Sequence, residues 1–139
     1  MTITRGLAAT AMLAGLAVGT ASTAWAATMS GHYTYTSTNP TTTQSRTTDW
    51  YFTPCGDGCA IVAIPGGVSQ ARLVNGQWTM DATVDVQCTD GTVVRGASHN
   101  HFTWDPNTLA GTTEVTDTVP ACGNPAGYQQ TNNMQLNAP

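Results

Sequence analysis

The alternation of hydrophobic and polar residues is clearest in the stretch QWTMDATVDVQC, which runs from Gln77 to Cys88. From Trp78 onward every second residue is apolar or small, and the residues between them are Thr, Asp or Gln. A period of two residues is typical of a β-strand, because successive side chains point to opposite faces of a sheet. The pattern therefore predicts a strand with one buried face and one face in water.

Similar extended segments recur after residue 30, whereas no window of about 11 residues shows apolar residues at helical spacing. Thr, Val and aromatic residues, which favour strands, alternate with turn-forming residues. We therefore predict an all-β fold, a single antiparallel meander of about eight strands that forms a small barrel, with a β-sandwich as the alternative. The predicted strands are 33–37, 47–53, 60–64, 70–74, 77–88, 92–104, 109–116 and 130–136.

Turn residues fix how the neighbouring strands pair. Asn75-Gly76 predicts a two-residue hairpin turn, since both residues tolerate a positive φ. The next turn, Thr-Asp-Gly at 89–91, is predicted to have three residues and a bulge, because that register pairs Val86 with Val94. A two-residue turn would instead point Arg95 into the core.

The chain has four cysteines, an even number that favours disulfides in an exported protein. In the segment CGDGC, a three-residue turn at 56–58 would place Cys55 opposite Cys59 and predicts a disulfide on the surface of the hairpin. Cys88 and Cys122 remain as the second pair. A zinc site is disfavoured, because a Cys-x3-Cys spacing without a second close pair does not supply four converging ligands.

Residues 1–26 have the features of a secretory signal peptide: Arg5, an apolar run of about 13 residues, and the small residues of ASTAWA before the cleavage position. The run is shorter than the roughly 20 residues that a membrane-spanning helix needs. We predict cleavage after Ala26, a β-domain over 27–139 without an integral membrane segment, and a location outside the cell or in the cell envelope.

The predicted mature chain carries three arginines, no lysine and eight acidic side chains, and so has a net charge of −5. Nucleic-acid binding depends on cationic side chains that neutralise phosphates. The composition therefore argues against nucleic acid as a partner.

Candidate catalytic and metal-binding residues are few. His99 and His101 share a strand face, as two metal ligands would, but no third ligand is evident. Asp81 and Asp85 also share a face, yet they are about 13 Å apart, which is too far for a glycosidase pair. Ser69 in GVSQA lacks the strand-to-helix turn of a serine nucleophile. We predict no catalytic, cofactor-binding or metal-binding residue.

Large aromatic residues occupy inward positions of the predicted strands, where they form either a solid core or the lining of an apolar cavity. These residues are Trp50, Phe52, Trp78, Phe102 and Trp104. Small residues predicted to point inward, Ala71, Ala82, Gly96 and Ser98, keep the cavity open as an alternative to the solid core that we expect.

The segments GHYTYTST, WYFTPCGDGCA, LVNGQWTM, CTDGT, WDPNTLAGT and CGNPAGY occur in an order that resembles small exported mycobacterial proteins of uncharacterised function. The resemblance spans nearly the whole predicted mature chain and implies export and a cysteine-rich β-domain. Its landmarks are turn and core positions, so it implies no catalytic residues.

Together these features predict a secreted, non-enzymatic β-domain that binds a cell-envelope or host partner through its surface. The alternative is a carrier of a small apolar ligand inside the barrel, and a hydrolase is a weaker third interpretation.

Overall fold

The computed structural model describes residues 28–139, and the predicted signal peptide at 1–26 lies outside them. Within the described residues, eight antiparallel strands form a closed barrel in which each strand pairs with its sequence neighbours and the last pairs with the first. The strands are β1 (Gly31–Thr38), β2 (Ser45–Gly56), β3 (Cys59–Ile64), β4 (Gly67–Val74), β5 (Gln77–Gln87), β6 (Val93–Trp104), β7 (Ala110–Asp117) and β8 (Gln129–Asn137). The predicted all-β barrel is confirmed, and the sandwich alternative is wrong.

The pairing of β5 with β6 follows the predicted turn and then departs from it. Val86 pairs with Val94, as predicted. A bulge then shifts the register by two residues, so that Val84 pairs with Ser98. Gly96 lies in this bulge with φ +59°, and its N–H donates to Asp85 Oδ1 at 2.8 Å. The prediction that Gly96 points inward is wrong, because the bulge exposes it and buries Ala97 instead.

The hairpin turns show one agreement and one correction. Asn75-Gly76 forms the predicted turn, with φ values of 51° and 80°, and Leu73 pairs with Trp78. In CGDGC, however, the turn is the two-residue Asp57-Gly58, because Gly56 still belongs to β2. Gly56 has a φ of +123° and forms a bulge between Pro54, which pairs with Ala60, and its own pairing with Cys59.

Both predicted disulfides are present within residues 28–139. The Cα atoms of Cys55 and Cys59 are 5.0 Å apart, and those of Cys88 and Cys122 are 5.4 Å apart. Cys55 is exposed, whereas Cys59 is buried and its Sγ accepts a hydrogen bond from Gln70 Nε2 at 3.0 Å. The first disulfide therefore lies only partly on the surface.

The two ends of the barrel differ in their connections, since the turns of a meander alternate between the ends. One end carries the turns at 57–58, 75–76 and 105–109, together with the first described residues. We call it the closed end. The other end, which we call the mouth, carries the connections at 39–44, 65–66, 88–92 and 118–128. The second disulfide joins the last two of these connections at the mouth.

Aromatic side chains fill the half of the barrel next to the closed end. Trp78 and Trp104 stack with their ring centroids 6.2 Å apart, and Trp50 meets Trp104 edge to face at 6.2 Å. Trp104 Nε1 donates to the sulfur of buried Met29 at 3.3 Å, so the N-terminal end of the described chain covers the core. All five predicted inward aromatics are buried: Trp50, Phe52, Trp78, Phe102 and Trp104.

Within residues 28–139 there is no helix long and apolar enough to cross a membrane.

Candidate functional site

The inward-facing residues change from apolar to polar between the closed end and the mouth. Along β8, Leu136 and Met134 are buried in the core, whereas Asn132 and Gln130, nearer the mouth, are half-buried. The same change occurs along β6, from Trp104 and Phe102 to Asn100 and Ser98, and along β2, from Phe52 and Trp50 to Thr48 and Arg46. The strand alternation therefore continues to the mouth, but its inward face there is hydrophilic.

Of the cavities at the mouth, two are lined in part by inward-facing residues of the barrel. The larger has a volume of about 520 Å³ and is lined mainly by polar side chains of β1, β2, β6, β7 and β8. The smaller, of about 370 Å³, extends towards β3 and β5. Tyr35, Arg46 and Asn100 line both cavities, so we describe them as the main lobe and the side lobe of one site.

Tyr35 forms the boundary between the aromatic core and the mouth. Its ring stacks on Trp50 with centroids 4.4 Å apart, and its hydroxyl is hydrogen-bonded to Thr113 Oγ1 at 2.8 Å. Burial raises the pKa of Tyr35 above its usual value of 10.0, although hydrogen bonds to Thr113 and Ser37 act in the opposite direction. The phenol is therefore protonated at neutral pH and available as a hydrogen-bond donor or acceptor.

The amide side chains of the main lobe are oriented by hydrogen bonds within the site. Ser98 Oγ donates to Asn100 Oδ1 at 2.7 Å, and Gln130 Nε2 donates to Asn132 Oδ1 at 2.7 Å. Within residues 28–139 neither Asn100 Nδ2 nor Asn132 Nδ2 donates a hydrogen bond, so both remain as donors for a ligand.

Arg46 carries the charge that a ligand in the main lobe would meet. It is exposed, and it makes no ion pair with any side chain of residues 28–139. The side lobe contains Asp85, but this carboxylate already accepts the N–H of Gly96 and lies 3.6 Å from Arg95. The negative charge in the mouth is thus partly compensated, and the positive charge of Arg46 is not.

The side chains considered as metal ligands or acids lie elsewhere. Asp81 Oδ1 is 2.8 Å from His101 Nδ1 and 3.2 Å from His99 Nε2, so the barrel brings these three together on its outer surface. Among residues 28–139, no group of three or more His, Cys, Asp or Glu side chains is arranged to hold a metal ion. Ser69 is half-buried within β4, paired with Val62, and is not on a strand-to-helix turn.

The sequence-based prediction located the aromatic core but missed the polar mouth. Its members are Tyr35, Ser37, Arg46, Asn100, Thr113, Gln130 and Asn132. The available signal was the continuation of the inward positions into polar residues near one end of β2, β6 and β8. Arg46 was excluded from the predicted strand, which began at 47, whereas β2 begins at Ser45.

Comparison with known proteins gives no relative: no family model, no curated protein and no solved structure matches the chain. The interpretation of the site therefore depends on the geometry and chemistry of these residues.

Proposed function

We propose that this protein is an exported, non-enzymatic binding protein that holds a small polar ligand in the mouth of its barrel. The observation that carries the proposal is the contrast between the two halves of the interior, one filled by aromatic rings and the other open and polar. The mouths of β-barrels are common places for small-molecule sites, and a cavity of about 520 Å³ is within their usual size range of about 300–1,000 Å³.

Two features of the chain support export. The chain begins with a segment that has the composition of a signal peptide, and the described residues contain two disulfides. Disulfides persist in oxidising compartments and are rare in the cytosol. These features support a location outside the cell or in the cell envelope, as the resemblance to small exported mycobacterial proteins also implies.

The chemistry of the main lobe supports binding rather than catalysis. Its polar groups are amides, hydroxyls and one guanidinium. None of these exchanges a proton readily near neutral pH, because arginine stays charged and the Tyr35 hydroxyl stays protonated. Such groups can position a ligand by hydrogen bonds and charge, which is what a binding protein requires.

An apolar ligand among the aromatic side chains receives less support than a polar ligand in the mouth. Trp104 packs against both Trp50 and Trp78, and all three are buried, so they form the packed core instead of facing an open cavity. The open volume lies beyond Tyr35, where the lining is polar. The ligand that fits this lining makes hydrogen bonds.

Recognition of a cell-envelope or host protein through the outer surface is the second candidate, and one observation favours it. His32, Tyr51, Ala63 and Val68 form a row across β1 to β4 on the outer face. Tyr51 is 53% exposed and Val68 is 67% exposed, and the His32 ring stacks on Tyr51 at 4.8 Å. Exposed apolar and aromatic side chains that adjoin one another are typical of contact surfaces.

Native mass spectrometry of the protein purified from the organism that produces it tests the proposal, since a retained ligand appears as added mass. Ser37→Phe places a ring in the main lobe, and Thr38→Phe places one on the outer face of the same strand. We expect a retained mass in the wild type and in Thr38→Phe and its loss in Ser37→Phe, with circular dichroism confirming that both variants fold.

Absence of any retained mass, or equal retention by the two variants, would overturn the proposal of a ligand in the mouth. Binding to a partner that is lost in Tyr51→Ser but kept in Ser37→Phe would instead support recognition through the outer surface.

A further inference from the structure

We infer that the ligand of the mouth is a small hydroxylated acid of the uronic acid class, whose carboxylate is bound by Arg46. The inference rests on the proposed function and adds the chemical class of the ligand. It follows from two properties of the site: its charge and its balance of hydrogen-bond donors and acceptors.

The charge of the site selects an anion. Of the three arginines in the described residues, Arg72 lies on β4 opposite Cys59, near the closed end, and Arg95 is 3.6 Å from Asp85. Arg46 lines both lobes of the mouth and has no acidic partner within residues 28–139. A guanidinium binds a carboxylate or a phosphate through paired N–H groups.

A single negative charge fits the site better than a dianion. Arg46 is the cationic side chain that lines the main lobe, and the side lobe adds the carboxylate of Asp85. The predicted mature chain also carries a net charge of −5, which disfavours multiply charged ligands. One carboxylate matches one guanidinium, whereas a phosphate ester would bring a second negative charge that no further cation offsets.

The hydrogen-bonding groups select a ligand rich in oxygen. The Nδ2 groups of Asn100 and Asn132 offer N–H donors, since neither donates to another group within residues 28–139. The hydroxyls of Tyr35 and Ser37 add groups that both donate and accept. A ligand with several hydroxyl oxygens besides its carboxylate satisfies these donors, whereas an aliphatic acid would leave them without partners.

An NMR titration measures how much the carboxylate contributes to binding, apart from the rest of the ligand. Sodium D-glucuronate is added to ¹⁵N-labelled protein, and D-glucuronamide, its neutral analogue of nearly the same shape, is added to a second sample. We expect glucuronate to shift the side-chain amide signals of Asn100 and Asn132 saturably, and to bind about tenfold or more tightly than glucuronamide. Arg46→Gln should abolish this difference, whereas the matched change Arg72→Gln should preserve it.

The outcomes distinguish the inference from the function on which it rests. Equal binding of both compounds in the mouth would overturn the assignment of a carboxylate and leave the proposed binding function standing. No shift of these amide signals by either compound would overturn the uronic acid class, while the retained mass of the native ligand still tests the proposed function separately. Equal preference for glucuronate in Arg46→Gln and the wild type would refute the role of Arg46.

Discussion

Gly111 lies where two strands approach so closely that no side chain fits, and its substitution by alanine is the sharpest test of the barrel geometry. Gly111 is in β7 and pairs with Trp104 of β6. A Cβ atom at Gly111 would lie 1.8 Å from the carbonyl oxygen of Thr103 and 2.7 Å from the Cα atom of Trp104. These are backbone atoms, so the clash cannot be relieved by rotating a side chain.

The expected loss of stability follows from the size of this clash. Real Cβ atoms essentially never approach other heavy atoms closer than 3.0 Å, so β6 and β7 must separate locally by more than 1 Å. Overpacking by one carbon costs about 1–3 kcal/mol, and each hydrogen bond lost between the strands adds about 0.5–1.5 kcal/mol. We expect Gly111→Ala to lower the free energy of unfolding by at least about 3 kcal/mol.

Urea unfolding followed by tryptophan fluorescence measures this loss, with both disulfides kept intact. Gly67→Ala is the matched control, because Gly67 is also a strand glycine but its Cβ would meet no atom within 4 Å. We expect the control to be unchanged or more stable by up to about 1 kcal/mol, since alanine restricts the unfolded chain. Equal effects of the two substitutions would refute the close approach of β6 and β7.

Further predictions concern the core and a turn. Trp78→Ala should lower the free energy of unfolding by about 3–5 kcal/mol, because it empties a buried site. Asp81→Ala should lower it by less than about 1 kcal/mol, because Asp81 and its histidine partners lie on the outer surface. Comparable losses of the two variants in urea unfolding would contradict the assigned faces. Backbone N–H groups of Thr108 and Asn107 hold the pKa of Asp105 below its usual value of 3.8. The ionised Asp105 carboxylate therefore stabilises the folded state fully above pH 3.8, and this stabilisation is lost as the pH falls through the lower pKa of the folded state. The urea midpoint of Asp105→Asn should consequently decline less steeply on acidification than that of the wild type.

The local pattern was sufficient for the strands that carry apolar markers. In β5 the alternation around Trp78 and Met80 identified the buried face, and Asn75-Gly76 set the register with β4. Hairpin turns and side-chain alternation act over a few residues, so they can be recognised without knowing the rest of the fold. The pairings of these strands were accordingly confirmed.

The bulges were not predictable from the same pattern. In β6, Gly96 takes a positive φ and Ala97 becomes buried, which shifts the pairing by two residues. Beyond the bulge, an even shift keeps the same residues on the inward face, so alternation gives no sign of it. Gly56 shows the same limit in CGDGC, where two- and three-residue turns both allow the disulfide.

The polar mouth depends on closure of the barrel, and this is why its residues were not recognised. An inward Asn or Arg near a strand end has the same local sequence pattern as an outward one, because both lie among threonines and serines. The contact of Tyr35 with Thr113 joins residues 78 positions apart and forms only when β8 pairs with β1. Closure converts polar strand ends into the walls of a cavity, so the chemistry of Arg46 and its neighbours is a property of the complete barrel and not of any one strand.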